Sequence, residues 1–154
     1  STRRVYHLNL NGGGNRLQVV ATDIAKPNGI ALSADEGTLL VSDHMDKEVW
    51  FFRIENDGTL GCRAPYASLR LSAENFPSKG DGADVDALGR YYVSSELGVQ
   101  MFDPTGRMGG VILSPDPNKP LVSIVFSGAG LEYIYVANGD AVYRRRVKSR
   151  GTGR

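Results

Sequence analysis

NGIALSADEGTLLVSD, residues 28–43, reads as a short apolar run, a turn containing Gly37, and a second apolar run closing on Val41, Ser42 and Asp43. Two further stretches repeat that grammar: DGADVDALGRYYVSS at residues 81–95 and VSIVFSGAGLEYIYVAN at residues 122–138. Val41, Val93 and Val136 occupy equivalent places, 52 and 43 residues apart. Repeats of about 40–50 residues, each holding four strands, have the period of a β-propeller blade.

Working outward, each repeat continues into further strand-like runs. The first is followed by residues 48–54 (EVWFFRI) and 64–69 (APYASL), with the turn signal Asn56-Asp57-Gly58 between them. The second is followed by residues 98–102 (GVQMF) and 108–113 (MGGVIL), with Asp103-Pro104-Thr105-Gly106 between them. After the third comes residues 141–147 alone. Ahead of the first, residues 5–10 and 17–21 flank Gly12-Gly13-Gly14 and read as the outer pair of an earlier blade. The expected fold is all-β, built of four-stranded antiparallel sheets, with strands grouped two, four, four and three. That is about three blades, half of a six-bladed propeller. The divisions are residues 1–22 for the outer pair, 23–70 and 80–116 for two full blades, and 120–149 for a partial last blade. Residues 68–79 read as an extended loop between blades, and the basic RRRVKSRGTGR as a last strand with a frayed end. Trp50, Phe51 and Phe52 are consecutive, so two of the three are expected between blades. An open set of blades leaves faces and a strand edge uncovered, so a second copy or an N-terminal half-propeller is expected to close the ring.

Composition narrows the classes of function. The 154 residues are 41% hydrophobic and 23% charged, a balance that folds. Eighteen Lys and Arg against 17 Asp and Glu leave a net charge of +1, which argues against nucleic acid as a partner. No apolar run approaches the roughly 20 residues of a membrane-spanning helix, and no membrane partner is expected. Cys62 is the sole cysteine, which rules out an internal disulfide and a cysteine-built zinc site. No Gly-x-Ser-x-Gly elbow, phosphate loop or dinucleotide fingerprint occurs. No apolar signal-peptide core follows Ser1, and the compartment is not read.

The repeat alignment puts Asn28 and Asp81 at the same point, the start of an inner strand facing the propeller channel. An amide oxygen and a carboxylate are hard ligands suited to Ca²⁺ or Mg²⁺, and acceptable to Zn²⁺ or Mn²⁺. The third equivalent position is Val122, which cannot ligate. Asn28-Gly29 and Asp81-Gly82 also read as turns at strand entries, their side chains capping backbone groups. Asp43 and His44 end the second strand of the first repeat, and Ser95 and Glu96 the equivalent strand of the second. Together with Ser123 these are candidate substrate contacts; the plainer alternatives are solvated loop and strand-start residues.

KPNGIALSADEGTLLVSD (residues 26–43), GDGADVDALGRYYV (80–93) and PLVSIVFSGAGLEYIYVA (120–137), in that order and spacing, resemble the gluconolactonase / senescence-marker-protein / luciferin-regenerating-enzyme family of six-bladed propellers. The resemblance covers nearly the whole chain and corresponds to the C-terminal half of that family. It implies one divalent cation on the propeller axis, Ca²⁺ foremost, and hydrolysis of a sugar lactone or related ester. Asn28 and Asp81 match two of the family's ligands; its further ligand, a Glu near the family's N-terminus, has no counterpart here. The same resemblance implies that Asp81 doubles as the acceptor of the attacking water's proton. Two other readings stand beside hydrolysis: a propeller fragment serving as a binding module, and a chain inactive without an N-terminal half.

Overall fold

The computed structural model describes residues 3–10, 17–73 and 77–153. Thirteen strands form four antiparallel sheets. The first pairs β1 (Val5–Leu8) with β2 (Leu17–Ala21). The second runs β3 (Pro27–Leu32), β4 (Thr38–Asp43), β5 (Glu48–Ile54) and β6 (Leu60–Ser68). The third runs β7 (Ala83–Val85), β8 (Tyr91–Ser95), β9 (Gly98–Phe102) and β10 (Met108–Leu113). The last holds β11 (Leu121–Ser127), β12 (Tyr133–Asn138) and β13 (Ala141–Arg146). The grouping of two, four, four and three is the one expected from the repeats, each sheet a meander in chain order. Among the described residues no α-helix forms; a single 3-10 turn spans Ala129–Leu131. The Gly12-Gly13-Gly14 turn and the middle of the loop expected at residues 68–79 lie outside the described residues.

Apolar side chains meet between sheets in three clusters, one at each junction. Val5, Ala21 and Ile24 pack on Leu39, Val41 and Phe52. Leu40, Val49 and Leu69 pack on Val85, Tyr91 and Phe102. Tyr92 and Val99 pack on Ile124, Phe126, Ile134 and Val136. Strand alternation sends Trp50 and Phe52 to the first junction and Phe51 to the second. β4 and β8 are central and flanked by sheets on both faces, so nearly every residue in them is buried.

Turns at the far ends of the strands follow from aspartates. Asp103 Oδ1 accepts from Thr105 N at 2.8 Å and Arg107 N at 3.1 Å, and Gly106 then turns the chain at φ 83°. Asp86 is buried and accepts from Leu88 N, Arg90 N, the Arg90 guanidinium and the Tyr92 hydroxyl.

Two local expectations change. The strand expected at residues 64–69 begins earlier, so that Cys62 lies within β6, at φ 25°. The basic end is docked rather than frayed. Ala87 N donates to Arg150 O at 2.8 Å, Gly151 N to Leu131 O at 3.0 Å, and Arg90 to the Ser149 hydroxyl at 3.0 Å. Satisfying those backbone groups and burying Gly151 holds the tail across the end of the third sheet.

Candidate functional site

The inner strands β3, β7 and β11 lie side by side and bring the starts of three blades together. Their closeness explains the glycines that follow Asn28 and Asp81. A Cβ on Gly29 would sit inside the Asp81 carbonyl, and one on Gly82 would lie 2.8 Å from Ser123 Cα. Gly82 N donates to Val122 O at 3.1 Å, and the buried Ser42 hydroxyl donates to Asp81 O at 3.1 Å. These glycines are therefore sites of close backbone approach between blades, a role that the turn reading did not contain.

The loop after each second strand is tied the same way to the segment entering its blade. His44 N donates to Lys26 O, Glu96 N to Ser78 O, and Gly139 N to Pro120 O. This recurring bond sets His44 beside Asn28 and places Glu96 with Asp81 in the lining of one pocket. Asn28 Nδ2 lies 3.3 Å from His44 Nδ1, and that ring nitrogen lies 4.0 Å from Asp81 Oδ2. Lys79 Nζ lies 3.7 Å from Glu96 Oε1, and Glu96 Oε2 accepts from the Ser72 hydroxyl at 2.7 Å. His44, Lys79, Asp81, Glu96, Leu121 and Val122 line a pocket of about 210 Å³.

The carboxylates divide into two kinds. Asp43 is 2% exposed, and its oxygens accept from the backbone N–H groups of Ala25, Lys26, Met45 and Asp46. Asp84 accepts from Val85 N and Phe126 N, stitching β7 to β11. Asp81 differs: its side chain is 20% exposed, yet among the described residues its carboxylate accepts no hydrogen bond. A half-buried carboxylate without hydrogen-bond donors keeps its lone pairs available to a cation.

Of the candidate substrate contacts, His44 and Glu96 reach the pocket. Asp43 does not, because its lone pairs serve the loop that enters β3. Ser95 is 1% exposed, donates to Gly98 O at 2.8 Å and accepts from Gln100 Nε2 at 2.9 Å, so it too is occupied inside the fold. Ser123 is exposed on β11 beside Gly82, outside the pocket lining. Asn28 is exposed beside His44 and outside the pocket lining, and Val122 contributes a wall without a donor atom. Among the described residues no group of three His, Cys, Asp or Glu side chains is placed to hold a metal. An Asn–Asp pair of oxygen donors still fits a hard divalent cation as part of a larger ligand set. Lys79 was not singled out from the sequence, since it falls in a stretch without strand or motif signal.

Antiparallel meander sheets packed against one another with their inner strands side by side define a partial β-propeller. Residues 2–139 match the SMP-30/Gluconolactonase/LRE-like region, and the chain belongs to that family. It is 28% identical over 151 residues to a gluconolactonase of Zymomonas mobilis, covering 96% of this chain and 41% of that protein. A solved gluconolactonase from Xanthomonas campestris superposes with a TM-score of 0.76 at 30% identity, over 92% of this chain and 43% of the other. Regucalcin from Agrobacterium tumefaciens, a calcium-binding protein, shares the fold with a TM-score of 0.80 at 16% identity, over 96% and 53% of the two chains. The chain thus spans about half the length of the relatives it matches.

Proposed function

We propose that this chain contributes the Asn28 and Asp81 side of a metal-dependent site that hydrolyses a sugar lactone. The observation that carries the reading is the Asp81 carboxylate, half-buried and without a hydrogen-bond donor among the described residues, in the lining of a pocket shared with His44, Lys79 and Glu96. The gluconolactonases it resembles support a lactone as substrate, and the calcium-binding neighbour favours Ca²⁺.

Asn28 Oδ1 and the Asp81 carboxylate would hold the cation. When bound, a divalent cation polarises the lactone carbonyl and offsets charge on the developing oxyanion, an effect of several kcal/mol. Asp81 also accepts a proton from the attacking water. The water oxygen bonds to the acyl carbon, the ring C–O bond breaks, and the ring oxygen takes up a proton to leave a hydroxy acid. His44 Nδ1 accepts from Asn28 Nδ2 and so orients that amide. Closure of the ring by a second copy or an N-terminal half-propeller supplies the remaining ligands and the opposite wall.

Calorimetric titration with Ca²⁺, with Zn²⁺ and Mg²⁺ as comparisons, tests the site. One cation is expected per pocket, with binding lost in Asp81→Ala and weakened in Asn28→Ala. Opening of D-glucono-1,5-lactone above the uncatalysed rate is expected to fall with it. Hydrolysis that survives the Asn28→Ala/Asp81→Ala double substitution would overturn the proposal.

A further inference from the structure

Lys79 holds its backbone at φ 51°, in the left-handed region where a side chain crowds the chain and glycine sits freely. The segment is pinned there. Lys79 N donates to His44 O at 3.2 Å, and the buried Ser78 hydroxyl accepts from Gly80 N at 3.1 Å while reaching Asp43 O at 3.1 Å. A lysine in a conformation that favours glycine points to a use for its side chain. That side chain lines the pocket, with its ammonium 3.7 Å from Glu96 Oε1. The two charges form an ion pair, and Glu96 is oriented by the Ser72 hydroxyl at 2.7 Å. A donor-only cation and an acceptor-only carboxylate thus stand side by side in the pocket that Asp81 also lines. Neighbouring hydroxyls on a sugar ring offer the matching set, one oxygen accepting from the ammonium and the next hydroxyl donating to the carboxylate.

We propose that the Lys79–Glu96 pair reads the polyol: it binds two adjacent hydroxyls of the substrate and selects a polyhydroxylated lactone over a bare one. This rests on the lactone-hydrolysis reading and names the specificity element of that site. The test compares kcat/KM for D-glucono-1,5-lactone with that for δ-valerolactone, in the unsubstituted protein and in Lys79→Gly, Lys79→Met and Glu96→Gln. The preference for the sugar lactone is expected to fall about tenfold or more in each, as when a site loses its partners for substrate hydroxyls. Lys79→Gly is expected to melt at the same or a higher temperature, because the backbone strain is relieved, which separates lost selectivity from lost folding. Lys79→Arg, which keeps the cation, is expected to retain most of the preference. An unchanged preference in Lys79→Gly and Glu96→Gln, with opening of both lactones still abolished by Asp81→Asn, would overturn this proposal and leave hydrolysis standing. If the unsubstituted protein opens neither lactone, both readings fall.

Discussion

At the scale of single residues, the same side-chain chemistry is put to opposite uses a few ångströms apart. Asp43 and Asp86 are saturated with donors and hold loops in place, while Asp81 is left to face the pocket. Asp43→Ala is therefore expected to destabilise the fold by about 2–4 kcal/mol, since it orphans several backbone N–H groups at once. Thermal or urea unfolding measures it. The glycines at the blade starts are as demanding. Gly29→Ala places a methyl group against the Asp81 carbonyl, with an expected cost of about 1–3 kcal/mol from overpacking and a displaced Asp81. Both the unfolding midpoint and cation affinity are expected to fall. The repeat sets Asn28 and Asp81 in register, and the fold brings both near His44 Nδ1. Asp43 and Ser95 were misjudged because strand alternation gives the face of a side chain and says nothing of the loop folded over it.

At the scale of elements, buried polar side chains at the ends of β4 and β12, and Gln100 within β9, fasten the segments that lead into the blades. Asp43 binds the segment entering β3, and Asn138 binds the segment entering β11. Gln100, aided by Ser95, fastens Arg70 on the approach to β7. Asn138 is fully buried: Nδ2 reaches the carbonyls of Asp116, Lys119 and Pro120, and Oδ1 accepts from Asp116 N. Asn138→Ala is expected to cost about 3 kcal/mol and to loosen the Pro117–Pro120 wall of the pocket, read as faster amide exchange at Asp116 and Lys119. The docked tail has its own signature. Hydrogen bonds from Arg146 and then Arg150, with their charges, hold the Glu132 carboxyl below the usual carboxylate range. The contribution is complete above the unfolded value of 4.5 and is lost as pH falls through the lower folded value. Amide exchange at Ala87 and Gly151, corrected for its intrinsic pH dependence, is expected to accelerate in that acidic window and not between pH 6 and 8.

At the scale of the whole molecule, the open arrangement leaves apolar surface at both ends. Tyr6, Leu8, Leu17 and Val19 are exposed on the first sheet, and Val125, Val142 and Tyr143 on the last. β13 is the exposed edge of a three-stranded sheet where its neighbours have four strands. Surfaces of this kind bind partners or aggregate. Closing the ring is expected to bury them, so Leu8→Lys with Leu17→Lys is expected to weaken association at least tenfold, measured by analytical ultracentrifugation. The same double substitution is expected to lower binding of a hydrophobic dye by the isolated chain.

The strand count, the grouping into blades and the equivalence of Asn28 with Asp81 were set by the sequence alone. Period-2 alternation, Asp-Gly turns and a repeat near 45 residues are local signals that survive in one dimension. What the tertiary structure decided was which polar groups remain available. Hydrogen bonds between residues 17 to 39 apart in the chain occupy Asp43 and carry Ser42 to Asp81. A backbone pinned from two directions turns Lys79 into the pocket. Those outcomes depend on which loop lies against which strand, a property of packing between blades that no single repeat encodes.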